Sequence, residues 1–152
     1  AFILQPFLNG SRPDIIIFHP FVGCQIIEVK DWNLVHYSYD KNSLGKYDFY
    51  VSDNRGRYKI KSPVKQVEHY KDKLSGQLIP QLGEEFDKDK RTYGLLKTSI
   101  YFHNASTSAS QKLFENLNLN FKVFPIFGKD LLSKNNLRQI IPDSYLSNSY
   151  YW

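Results

Sequence analysis

Pro13-Asp14-Ile15-Ile16-Ile17-Phe18, followed after His19-Pro20-Phe21-Val22-Gly23 by Cys24-Gln25-Ile26-Ile27-Glu28-Val29-Lys30, is the stretch whose reading decides the fold. Two β-branched runs joined by a short loop that contains a glycine predict a β-hairpin. Both runs are apolar at nearly every position, so each strand is expected to be covered on both faces, as in the middle of a layered α/β domain. Charge breaks the pattern in a few places. Asp14 opens the first strand, while Glu28 and Lys30, two apart, point to one face of the second.

A pairing symmetric about Phe21 sets Asp14 directly opposite Glu28, with Cβ atoms about 5 Å apart, where like charges destabilise. Two carboxylates so placed among Ile and Val require a counter-cation. A hard divalent ion fits, and Mg²⁺ is held by one or two carboxylates together with substrate phosphate. Lys30 would then set a positive charge beside the metal, where an attacking water or a phosphate oxygen lies. These are the parts of metal-assisted phosphodiester hydrolysis. The bland alternative makes Asp14 a polar strand start and Glu28 with Lys30 a surface pair. The three together, embedded in an apolar hairpin, favour the chemical reading.

Working outward, Phe2 to Leu8 reads as a short strand interrupted by Pro6, closed by the turn cluster Asn9-Gly10-Ser11. Tyr47–Ser52 and Arg57–Lys61 form a second, more polar hairpin around Asp53-Asn54-Arg55-Gly56. Ser62-Pro63 starts a helix, with Ser62 as the cap and Pro63 in the first turn. Val64, Val67, Tyr70, Leu74 and Leu78 make one apolar stripe, which predicts a long amphipathic helix ended by Pro80 or Gly83. Glu84 to Arg91 reads as charged surface, Tyr93–Phe102 as a strand, Ser110–Leu117 as a short helix and Phe121–Phe127 as a last strand. Asp130 is expected to cap a final helix that runs to Ile141 and stops at Pro142. Early hairpins followed by alternating strands and helices predict an α/β domain with a central mixed sheet flanked by helices.

The 152 residues suit one domain, 1–143, followed by a Ser-, Asn- and Tyr-rich tail or linker at 144–152. A composition 41% hydrophobic and 23% charged excludes a disordered or low-complexity chain. No apolar run approaches the roughly 18 residues of a membrane helix, so no membrane partner is expected. Cys24 is the single cysteine, which excludes an internal disulfide, points to a reducing, cytoplasmic setting and reads as a small core residue. His19, His36, His69 and His103 show no paired metal spacing. There is no nucleophile elbow, phosphate-binding glycine loop or dinucleotide fingerprint, so the common hydrolase, NTPase and dehydrogenase readings fall away. A formal charge of +5 and abundant aromatics, 11 Tyr, 11 Phe and 2 Trp, suit a polyanionic partner, though aromatics suit a core as well. The chain has no methionine, so it is expected to be a piece of a longer one.

Pro13-Asp14, thirteen intervening residues and Glu28-Val29-Lys30 resemble the signature of the PD-(D/E)XK nuclease superfamily. Glu28-Val29-Lys30-Asp31-Trp32 and the later Ser62-Pro63-Val64-Lys65-Gln66 are similar to its nuclease-related domain branch, often found ahead of superfamily 1 helicase modules. Gln66-Val67-Glu68-His69-Tyr70 resembles the glutamine, three residues, tyrosine pattern of RecB-like nucleases. The resemblance implies a restriction-endonuclease-like core and a Mg²⁺-dependent nuclease, with Mn²⁺ able to substitute. It implies Asp14, Glu28 and the Val29 carbonyl as metal ligands, Lys30 as the residue that assists the water, and Gln66 and Tyr70 as residues holding the site or the nucleic acid. DNA is the expected partner and RNA the alternative, within a larger DNA-processing or defence protein. Lys65 and Lys73, in the basic clusters of this helix, are expected to track a phosphate backbone. On a helix Gln66 and Tyr70 are neighbours at the edge of the apolar stripe, which agrees with a role over the sheet. The family's further acidic residue on an upstream helix has no counterpart here, since the chain starts at the first strand, and Asn33-Leu34 replace the glycine that often follows the tryptophan. A non-catalytic nucleic-acid- or protein-binding module of the same fold is the alternative from another class.

Overall fold

The computed structural model describes residues 1–19, 23–122 and 124–132. Strands β1 (Phe2–Leu4), β2 (Ile15–His19) and β3 (Gly23–Lys30) are followed by a 3-10 turn at Leu34–His36 and by β4 (Tyr37–Lys41), β5 (Tyr47–Asp53) and β6 (Gly56–Ile60). Helix α1 (Pro63–Lys73) continues through a π-helical turn at Leu74–Leu78 into α2 (Pro80–Lys88). After a 3-10 segment at Lys90–Leu95 come β7 (Leu96–Phe102), α3 (Thr107–Lys112) and β8 (Ile126–Gly128).

The hairpin forms in the expected register, Ile15 opposite Ile27 and Ile16 opposite Ile26. It sits inside a five-stranded sheet of order β1-β2-β3-β7-β8, antiparallel over its first three strands and parallel from β3 through β8. The mixed sheet flanked by helices agrees with the α/β expectation. Coverage is less even than the apolar runs imply: β3 is buried from Cys24 to Glu28, whereas β2 buries only Ile16 fully. The reason is position, because β2 is followed only by the short strand β1, whose Phe2 and Leu4 are exposed.

Val67, Tyr70 and Leu74 of the α1 stripe are buried in one cluster with Ile26, Ile100 and Ile126 of the sheet. Each such side chain contributes about 1.5–3 kcal/mol of burial free energy. The expected single long helix is instead two. The π turn widens the last turn of α1, and Pro80, with no N–H to lose, becomes the first-turn residue of α2 and not a terminator. Part of the charged stretch 84–91 is therefore helical, with Phe86 buried beneath it. Ser62 occupies the cap position of α1 but its side chain makes no capping bond.

A second, three-stranded antiparallel sheet, β4-β5-β6, contains the expected polar hairpin. Its third member, β4, is absent from the sequence reading. Three other boundaries contract: β1 stops at Leu4, β7 starts at Leu96 after the 3-10 segment, and β8 spans only Ile126–Gly128. The expected helix 110–117 begins earlier, at Thr107, and gives way to a 3-10 turn at Glu115–Leu117. Gly128 must be glycine, since a Cβ there would lie 2.2 Å from the Ser106 carbonyl carbon. Asp130 lies in a 3-10 turn and accepts the Thr107 N–H at 2.6 Å, so it supports the start of α3. The predicted final helix beyond it and the boundary at 143/144 lie outside the described residues. Among the described residues no helix is long and apolar enough to cross a membrane.

Candidate active site

The end of β3 carries Glu28 and Lys30 towards α1, which presents Gln66 and Tyr70 one turn apart. Strand alternation puts Glu28 and Lys30 on the same face as Ile26, and the packing of Val67 on that face brings α1 over them. Lys30 Nζ donates to Glu28 Oε1 at 2.6 Å and to Gln66 Oε1 at 3.1 Å. Gln66 Nε2 donates to Glu28 Oε1 at 2.5 Å and to the Tyr70 hydroxyl oxygen at 2.6 Å. Tyr70 in turn donates to the Arg12 carbonyl at 3.4 Å, tying the helix to the segment that leads into β2. Gln66 thus acts as a splint: its amide fixes the lysine with one atom and the carboxylate with the other.

Asp14 stands at the start of β2, one residue before the ladder begins, and its Oδ2 accepts the Val29 N–H at 2.8 Å. Its carboxylate is near enough to Glu28 to raise that group's pKa electrostatically. Glu28 is 3% exposed, and burial pushes its carboxyl above the ordinary glutamate range, with the Lys30 hydrogen bond and charge pulling the other way. One Glu28 oxygen is fully engaged, but Oε2 is buried and has no hydrogen-bond partner. A buried carboxylate oxygen left open costs free energy unless something cationic or a donor meets it. Tyr70, 4% exposed, has its hydroxyl pushed up by burial and by the charges of Glu28 and Asp14, so it stays a neutral donor.

Asp14, Glu28, Lys30, Gln66 and Tyr70 are therefore brought together, as the sequence leads one to expect. The other two candidates are not. Lys65 is exposed on α1, on the side of Asp48. Lys73 Nζ donates to the Asn9 carbonyl, pinning the loop between β1 and β2. Among the described residues no group of three or more His, Cys, Asp or Glu side chains gathers, so a metal here would rest on the two carboxylates, main chain, water and substrate. Trp32 was missed as part of this neighbourhood. Its ring lies 5.9 Å from Lys30 Nζ and stacks on Tyr37 at 4.0 Å between centroids, 7° from parallel. The available signal was the period of two, which sets Glu28, Lys30 and Trp32 on one face.

A mixed α/β sheet with two carboxylates and a lysine gathered at the end of its first hairpin defines a domain with a nuclease-like core. A family model described as a nuclease-related domain matches residues 4–103, and the chain belongs to that family. Neither the curated proteins nor the solved structures compared with the chain gave a match.

Proposed function

We propose that this domain is a metal-dependent nuclease that hydrolyses phosphodiester bonds of DNA, as the nuclease module of a larger DNA-processing or defence protein. The observation that carries the reading is Glu28 Oε2, a buried carboxylate oxygen without a partner beside a second carboxylate. Such an oxygen suits a hard divalent cation, and Asp14, Glu28 and the Val29 carbonyl would hold Mg²⁺ or Mn²⁺. The N–H and C=O of a strand residue point the same way, so the Val29 carbonyl lies on the side where Val29 N–H meets Asp14. When bound, the ion supplies a water of lowered pKa and neutralises charge on the scissile phosphate.

The chain's own residues supply orientation and charge. Lys30 keeps its ammonium within 2.6 Å of Glu28 and fixed by Gln66, where it can donate to a water or to a phosphate oxygen. Gln66 and Tyr70 hold the lysine and carboxylate in one geometry, which lowers the cost of ordering them during reaction. Trp32 and the apolar strands around them limit bulk water and strengthen each of these interactions.

The test is cleavage of labelled DNA with Mg²⁺, with Mn²⁺ and with chelator, comparing the wild type with Lys30→Ala and Asp14→Ala. The expected result is metal-dependent cleavage that each variant reduces about 100-fold or more. Absence of cleavage of any DNA or RNA by the wild type, or normal cleavage by both variants, overturns the proposal and leaves the binding-module reading.

A further inference from the structure

Near the candidate active site, the turn after β3 and the turn joining β5 to β6 line an open cleft of about 480 Å³, within the range of small-ligand sites. Its lining includes His36, Tyr37, Ser52, Asp53, Asn54 and Arg55. Tyr37 is the same ring that stacks on Trp32, and Trp32 lies over Lys30. Through the buried Trp32 ring, Lys30 Nζ and the Tyr37 ring are therefore separated by two contacts of 5.9 Å and 4.0 Å, which sets the cleft close to the lysine of the site.

The lining matches the chemistry of a nucleotide. An aromatic ring accepts any base by stacking. The Arg55 side chain is 85% exposed and held only by an ion pair of 3.4 Å to Asp53, so its guanidinium is available to a phosphate. Asp53 Oδ1 already accepts the Arg55 N–H at 2.8 Å. What acceptor capacity remains suits an amino group on a base edge, and Asn54 offers an amide for the same purpose. Its volume is on the scale of one unstacked nucleotide and far below that of a duplex.

We infer that this cleft holds an unpaired nucleotide of the strand whose phosphate lies at Lys30, so that the substrate is single-stranded at or next to the cut. The inference rests on the nuclease reading for its substrate, but its test does not depend on cleavage. In chelator, where no bond is cut, the protein is titrated into a fluorescein-labelled oligothymidylate of about eight nucleotides and followed by anisotropy. A blunt duplex of the same length serves as competitor. The wild type is expected to bind the oligonucleotide, with the duplex competing poorly. Tyr37→Leu is expected to weaken binding about tenfold, the loss of one stacking platform, and Arg55→Ala to weaken it and flatten its salt dependence. Arg55 is surface-exposed, so its variant reports on binding even where Tyr37→Leu disturbs the stack on Trp32. Wild-type affinity in Arg55→Ala and Tyr37→Leu, or equal competition by the duplex, overturns the inference. Failure of the wild type to bind the oligonucleotide, or equal cleavage of both strand types, overturns it as well, while binding without cleavage contradicts only the nuclease reading.

Discussion

The two sheets of this domain are built on opposite terms. In the five-stranded sheet, Ile26, Ile100, Phe102 and Ile126 are fully buried, and the charges in the ladder are Lys97 of β7, half-buried, and Glu28 with Lys30, which meet Gln66 of the helix above. In the three-stranded sheet only Phe49 is buried, and charges are spread along the surface in pairs: Arg57 with Asp40 at 2.6 Å and Lys59 with Asp48 at 2.8 Å. A charge on the first sheet is costly and held in one geometry. A charge on the second is solvated and replaceable. The comparison teaches where chemistry can be concentrated: on the rigid, dry ladder, with the wetter sheet left to shape the surface beside it.

The sharpest way to break the contrast is to remove the packing on which the first sheet depends. Phe102 is fully buried and meets both Trp32, edge-on at 5.7 Å, and Phe114 at 5.9 Å. Phe102→Ala is expected to cost about 3–5 kcal/mol in denaturant unfolding. A loss below about 1 kcal/mol would mean that the core does not rest on this contact.

Cys24 offers a smaller effect with a distinct signature. Burial pushes its thiol up to about 12, above the value of about 9 it has when unfolded. Between those values the folded state keeps a proton that the unfolded state gives up, so this contribution is present below pH 9 and is lost as pH rises towards 12. From pH 9 to 10.5 the wild type is expected to lose about 2 kcal/mol more than Cys24→Ala, measured by guanidinium unfolding at each pH. Parallel losses would place the thiol in contact with water.

Tyr70→Phe keeps the ring in the core and removes the hydroxyl that Gln66 donates to. A stability loss of about 1 kcal/mol is expected by thermal melting, with a larger fall in cleavage rate, since the splint on Lys30 loosens. At the small end, Arg57→Ala on the second sheet breaks a pair whose members are 43% and 58% exposed, and a change under about 1 kcal/mol is expected. A change as large as that of Phe102→Ala would erase the distinction between the sheets.

The parts of this account that were legible in the sequence are those set by periodicity. The apolar hairpin sets its own register, because a one-residue slip would turn Ile26, Glu28 and Lys30 together away from the helix-covered face. The spacing of Gln66 and Tyr70 on a helix stripe placed both over the sheet. β4 was missed although Tyr37 and Tyr39 alternate with Ser38 and Asp40. The run is short and polar, although its partner β5 follows directly after the loop at 42–46. The break between α1 and α2 was illegible because the spacing of three and four continues in sequence through the π turn, whereas in the structure Leu74 stays buried and Leu78, expected on the same stripe, is exposed. The role of Lys73 depended on where Asn9 lies, a contact between a helix end and a loop that no local pattern encodes.

In the proposed metal-dependent nuclease the open oxygen of Glu28 is a ligand for a cation. Free Mn²⁺ measured by electron paramagnetic resonance during titration of the protein addresses it directly. The predicted result is one tightly bound Mn²⁺ per chain in the wild type, displaced by Mg²⁺ and lost in Glu28→Ala and in Asp14→Ala. Undiminished Mn²⁺ uptake by both variants, or no uptake by the wild type, would contradict it.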